Sequence, residues 1–214
     1  VAVATETLSI DGGAPPAIRA GGPLRMIVRA TGTPARPIVR GEVQLSGGNL
    51  TFGSHPPLAD VALEARYRDG ALRLQRLDGT WQGAALSASG EVYAELLRDY
   101  LPSAYLDGLP TVDAPSRISA HVGPLTAASL APYIDADTLR GLEGQLDATL
   151  SVEVPTLDIE EARGEIRLDR VDLRVAGVPV SQKRPTRLAI DRGRLRVLDW
   201  EWGGPSNDLV VTGE

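Results

Sequence analysis

The chain has 214 residues, 43% of them apolar and only 4% aromatic, with a formal net charge of −6. That length holds one large β domain or two small ones, and the composition is that of a folded chain. An acidic chain whose lone lysine is Lys183, without a run of basic residues, argues against nucleic acid as a partner. The absence of cysteine removes disulfides, thiolate metal sites and cysteine nucleophiles.

No apolar run approaches the roughly 20 residues needed to cross a bilayer as a helix. No signal peptide is visible. A chain that opens on Val1 and stops after LVVTG reads as a piece of a longer protein, with targeting signals and membrane contacts expected outside it.

In chain order, the first turn signal is Asp11-Gly12-Gly13. A strand is expected from Leu24 towards Pro34. Val43 and Leu45 then alternate with Glu42 and Gln44, up to a turn signal at Gly47-Gly48-Asn49. Further turns are expected at Asp69-Gly70 and Asp78-Gly79, on either side of Leu72 and Leu74, which alternate with Arg73 and Gln75. Ala94–Leu101 has helical spacing before Pro102. Ser116–Val122 suits a strand, and Thr126–Tyr133 a helical turn stopped near Pro132. Alternation resumes with Ile166 and Leu168, then Val171, Leu173 and Val175. It continues in Leu188 and Ile190, in Leu195 and Val197 after Arg192-Gly193, and in Leu209 and Val211. Period two gives each strand one apolar and one wet face, and short spacings make antiparallel hairpins.

One strand is written twice. Arg40-Gly41-Glu42-Val43 and Arg163-Gly164-Glu165-Ile166 stand 123 positions apart, and the same offset matches Leu50 with Leu173, Gly70 with Gly193, Leu72 with Leu195 and Leu86 with Leu209. Fixed-offset similarity marks a repeat architecture. It divides the chain into a first β repeat over 1–92, a linker over 93–139 with short helices and one possible strand, and a second β repeat over 140–214. In both copies the apolar phase slips, from Leu74 to Leu77 and from Val197 to Trp200. A slip at one repeat position predicts a β-bulge that bends the strand.

Candidate chemistry is sparse. Ser46-Gly47-Gly48 looks like an ATPase signature loop, but the chain has no phosphate-binding Gly-rich Lys motif, so a hairpin turn is expected there. His55 and His121, the two histidines, lack partners at metal or triad spacing. Asp135/Asp137 and Asp158/Glu160/Glu161 fall short of a calcium loop and read as solvated charge. Trp200 and Trp202 suit either a sugar- or base-stacking row or packing in the apolar interior; their phase favours packing. No catalytic residue, metal or cofactor is expected, which leaves an enzyme without its constellation.

What remains is the apolar stripe. It reads either as the core of a closed sandwich or as the lining of an open trough for lipid chains. Composition alone keeps both open. In a trough, each acyl CH₂ leaving water gains about 0.8 kcal/mol without any specific polar contact.

Residues 24–53, LRMIVRATGTPARPIVRGEVQLSGGNLTFG, resemble repeats of the TamB family, within the AsmA-like group: a strand, Gly-Thr-x-x-x-Pro, x-Gly-x-Val-x-Leu, a short turn, another strand. Residues 60–92 resemble the next part of that repeat, and PLTAASLAPYIDADTLRGLEGQLDATLSV followed by ARGEIRL resembles its linker. Val152-Glu153-Val154 before Pro155 departs from the Gly-Thr form. The resemblance implies an all-β, repetitive antiparallel sheet curled into an open, taco-like hydrophobic groove, with one or two short helices between repeats. It implies a periplasmic segment of an inner-membrane-anchored protein of a diderm bacterium, which carries phospholipids between the inner and outer membranes. It further implies support of outer-membrane protein and autotransporter assembly with a TamA-like barrel partner.

On that reading the acyl chains are wetted by Val43, Leu45, Leu50, Phe52, Leu72, Leu74 and Leu86 in the first copy. In the second they are wetted by Ile166, Leu168, Leu173, Val175, Leu188, Ile190, Leu195, Val197, Leu209 and Val211. Leu173→Arg is expected to block passage more than it unfolds the sheet. The other reading is a structural β-repeat scaffold that binds partner proteins through its sheet edges, without lipid.

Overall fold

The computed structural model describes residues 8–9, 18–33, 36–52, 56–93, 114–133, 135–155, 161–204, 208–211 and 213. Ala94–Leu101, His55, Asp158/Glu160 and the Asp11-Gly12-Gly13 turn lie outside these residues.

Among the described residues the strands form one antiparallel sheet that is not closed into a barrel. The first part holds β1 (Leu8–Ser9), β2 (Ile18–Gly21), β3 (Leu24–Thr33), β4 (Arg36–Phe52), β5 (Leu58–Arg68), β6 (Ala71–Trp81) and β7 (Ala84–Tyr93). Two long strands follow, β8 (Ser116–Thr126) and β9 (Leu142–Val154). The last part holds β10 (Arg163–Val175), β11 (Val178–Gln182), β12 (Thr186–Asp191), β13 (Arg194–Asp199), β14 (Glu201–Gly203) and β15 (Asp208–Val210). Between β8 and β9 lie two short helices, α1 (Ala127–Leu130) and α2 (Ala136–Arg140).

The two copies share most of their pairing, with a one-residue offset where Leu50 faces Leu58 but Leu173 faces Val180. Arg40 faces Arg68 and Leu45 faces Leu63 in the first; Arg163 faces Asp191 and Leu168 faces Thr186 in the second. Tyr67–Leu72 corresponds to Ile190–Leu195, Gly79–Leu86 to Trp202–Leu209, and Leu74–Gly90 to the Val197–Gly213 bridge. The expected phase slip is a register shift between Leu74 and Leu77. At the matching place in the second copy the strand breaks, between β13 and β14.

Register shifts of this kind recur within the long strands: at Leu45/Gly48, Ala59/Ala62, Val122/Leu125 and Leu168/Arg170. They form a fold line that runs across the strands. The sheet also branches along that line. The first half of β4 pairs with β3 and its second half with β2; the first half of β10 pairs with β12 and its second half with β11. The result is two leaves joined at a bend. At the β4 end Leu45, Leu50, Leu58 and Val61 are buried together, with Leu24 and Leu63 of one leaf and Trp81 and Leu86 of the other packed around them. The sheet therefore curls towards its apolar side.

Two expectations are corrected. Gly47-Gly48 is not a hairpin turn: β4 runs straight through it, and Gly47 takes φ +62° as the extra residue of a bulge. Asp78-Gly79 lies inside β6, and the turn comes later, at Gln82-Gly83. The left-handed pairs Asp69-Gly70, Gln82-Gly83, Ala176-Gly177 and Arg192-Gly193 close the two-residue hairpins, since φ is positive at both residues of each. The strand expected at Ser116–Val122 is β8, and β8 and β9 are full members of the sheet between β7 and β10.

The capping box at α1 was legible as a helical turn. Thr126 caps it, and the Ser129 hydroxyl donates to the Gln82 carbonyl at 2.8 Å. Trp81 lies 5.8 Å from Tyr133, so the helical segment covers one end of the leaf.

Candidate functional site: the apolar face of the sheet

Directly opposed residues in a ladder share a face, so the pairing can be followed strand to strand. From β3 to β13, across ten strands, one row reads Leu24, Leu45, Leu63, Leu77, Ala88, Ala120, Leu150, Ile166, Leu188, Val197. The adjacent row reads Met26, Val43, Ala65, Leu74, Gly90, Ile118, Val152, Gly164, Ile190, Leu195. Neither row contains a polar side chain. At a strand spacing of about 4.8 Å the stripe is about 43 Å long.

Beyond the bend the same face continues through Leu86, Val122, Ala148 and Leu168, and through Leu125, Leu146 and Val171. Of the expected lining residues, Val43, Leu45, Leu50, Leu72, Leu74, Leu86, Ile166, Leu168, Leu173, Val175, Leu188, Ile190, Leu195, Val197 and Val211 all fall on this one face. Phe52 and Leu209 take places in β4 and β15, and their side chains lie outside the described residues.

Burial sorts these residues. Leu45, Leu50, Leu173 and Leu188 are buried and form the floor of the bend. Val43, Leu72, Leu74, Leu150, Ile118, Val152 and Ile190 are half-buried, although each strand is paired on both sides. At the ends Met26 and Leu195 are exposed by 55% and 50%. A closed sandwich would bury all of them. This corrects the expectation for Leu173→Arg: Leu173 is only 9% exposed, opposite Gly144 and Val180, and a charge there has no route to water.

Sequence reasoning missed the contribution of β8 and β9, whose Ile118, Val122, Leu146, Leu150 and Val152 occupy the middle of the stripe. Their alternation is present in SRISAHV and LDATLSV, diluted by Ala120 and Ala148. Ile118 and Val152 lie between Gly90 and Gly164, and there the strands approach closely: a Cβ on Gly90 would lie 3.1 Å from the Ile118 Cα, and one on Gly164 2.8 Å from the Val152 Cα.

The opposite face is charged. One row reads Glu42, Arg66, Arg73, Glu91, Arg117, Glu153, Arg163, Asp191, Arg194. Arg73 pairs with Glu91 at 2.8 Å, Arg117 with Glu153 at 2.7 Å and Arg163 with Asp191 at 3.4 Å. Arg187 grips Glu165 with Nε and Nη2 at 2.9 and 2.7 Å, which holds the Glu165 carboxyl below its usual range. Burial pushes the Asp169 carboxyl up, yet hydrogen bonds from Thr149 and Arg167 outweigh it and the net shift is downward.

The remaining candidates make local contacts. His121 sits on the charged face with Nδ1 3.2 Å from the Thr149 hydroxyl, which itself donates to Asp169. Asp135 accepts the Asp137 amide at the start of α2. Trp200 and Trp202 pack with ring centroids 4.9 Å apart, and the Trp202 indole N–H donates to the buried Thr186 hydroxyl at 2.7 Å. No group of three His, Cys, Asp or Glu side chains converges among the described residues. No helix among them is long and apolar enough to cross a membrane. Comparison of the chain with protein-family models, curated proteins and solved structures finds no match.

Proposed function

We propose that this chain is a segment of a lipid-conducting groove, in which phospholipid acyl chains lie along the apolar face. The observation that carries this reading is the pair of uninterrupted apolar rows, half-covered across ten strands, on an open sheet. An acyl chain laid along the stripe loses water from its methylenes at about 0.8 kcal/mol each and meets no polar group that would fix it in place. That combination suits passage rather than storage. The charged outer face keeps such a sheet soluble in an aqueous space. With the resemblance to TamB repeats, the reading extends to a periplasmic segment of an inner-membrane-anchored protein, moving phospholipid between the two membranes and supporting outer-membrane protein and autotransporter assembly with a TamA-like barrel.

The test is photo-crosslinking in cells, in the full-length protein, at Leu150 on the apolar face and at Ser151 on the charged face. Phospholipid attached at Leu150 and absent at Ser151 is expected. Attachment at neither position, with crosslinks to protein alone, would refute the groove. One observation favours a second reading, a scaffold without lipid: among the described residues β3 pairs only with β4, which leaves its other edge for strand addition.

A further inference from the structure

Most charged ladder partners on this face are of opposite sign; Arg66–Arg73 and Arg167–Arg187 are like-charged pairs, and one row carries three like charges in succession. In the second copy Glu153, Arg163 and Asp191 stand directly opposite one another on three neighbouring strands, acid–base–acid. The same row in the first copy is Arg29, Arg40 and Arg68. Both acids have become arginine, and the row goes from one net negative charge to three positive ones. Like charges directly opposed on adjacent strands destabilise a sheet.

These arginines line a concave cavity of about 950 Å³ on the charged face, together with Arg66, Arg73 and Tyr93. Arg66, Arg68 and Arg73 are offset by Glu42, Asp69 and Glu91. Arg29 and Arg40 make no ion pair among the described residues. The whole chain carries −6, so anions are repelled at long range and only a local cluster can hold one.

We infer that Arg29, Arg40 and Arg68 form a binding site for a phosphate ester. Three guanidinium forks across three strands span about 10 Å, and each presents paired N–H donors that match phosphate oxygens. The bound anion relieves the repulsion built into the row. A phosphate ester reaches the site either as a soluble molecule or as the headgroup of an anionic lipid. The site lies on the face opposite the apolar stripe and does not depend on the groove.

The test copies the second unit's charges into the first, as the double variant Arg29→Glu/Arg68→Asp, in the whole chain. The probes are glycerol phosphate and vesicles of phosphatidylglycerol, with phosphatidylcholine vesicles as the neutral control, all at constant ionic strength. Wild type is expected to bind at least one phosphate probe, and the double variant about tenfold or more weakly. Binding of glycerol phosphate identifies a soluble ester; binding of phosphatidylglycerol vesicles alone identifies a headgroup. Arg163→Gln, whose arginine is already paired, is expected to bind like wild type. Arg40→Gln supplies a milder loss should the double variant not fold. No binding by wild type, or equal binding by wild type, the Arg40 variant and the Arg163 variant, overturns the site.

Discussion

Gly41 and Gly164 occupy the same repeat position, yet alanine is expected to act oppositely at the two. A Cβ on Gly41 meets the Tyr67 Cβ at 3.5 Å and the Ile27 carbonyl oxygen at 3.8 Å, which is ordinary contact. A Cβ on Gly164 lies 2.8 Å from the Val152 Cα and closer still to the Ser151 carbonyl oxygen. Neither glycine has positive φ, so neither substitution is strained by its own backbone. Gly41→Ala therefore removes unfolded-state freedom without a clash, a gain of about 0.4–1 kcal/mol. Gly164→Ala must push β9 away from β10 at the centre of the sheet, a loss of about 1–3 kcal/mol. The two variants should differ by about 1.4–4 kcal/mol, which at a slope of about 2 kcal/mol per molar is about 0.7–2 M in urea midpoint. Urea unfolding followed by far-ultraviolet circular dichroism reads this directly. Equal midpoints for the two variants would show that β9 and β10 do not approach as described.

Two further outcomes follow from burial and charge. Leu173→Arg places an unpaired charge at the bend and is expected to cost roughly 3–5 kcal/mol, whereas Leu195→Arg, at a half-exposed site, stays within about 0.5 kcal/mol; thermal melts of both separate a buried floor from an open wall. Glu165 has a folded-state pKa below its unfolded value, so its stabilising pair with Arg187 is fully present above about pH 4 and is lost as pH falls through the folded value. Arg187→Gln should therefore melt below wild type at pH 7, with the gap closing at acid pH, and a gap that persists unchanged at pH 2 would contradict the assignment.

The strands themselves, the repeat offset and the bulge after Leu74 were legible, because period two and self-similarity are local properties. What was not legible depends on pairing. Gly47-Gly48 carries the same glycine signal whether it turns the chain or bulges it, and only the partners of Leu45 and Leu50 decide between the two. Ile118 and Val152 belong to the apolar stripe because β8 and β9 are inserted between β7 and β10, which no spacing along the chain reveals. The arginine row is an extreme case. Arg29, Arg40 and Arg68 are scattered singly through 40 positions, so the chain shows no basic run, and register alone assembles them. The burial of Leu173 likewise depends on where the bend falls.

The two copies treat that bend differently. In the first, β5 and β6 pass through it as bulged but continuous strands, with the fully buried Val61 lying beside Gly79. In the second, both counterparts are interrupted: exposed Arg184 stands at the position of Val61 and Trp202 at that of Gly79. Among β10 to β14, β10 crosses from leaf to leaf, whereas β11, β12, β13 and β14 each stay within one. The first unit thus crosses the bend on continuous strands, whereas the second crosses it on β10 together with the Val197–Gly213 bridge and the Trp202 indole's hydrogen bond to Thr186.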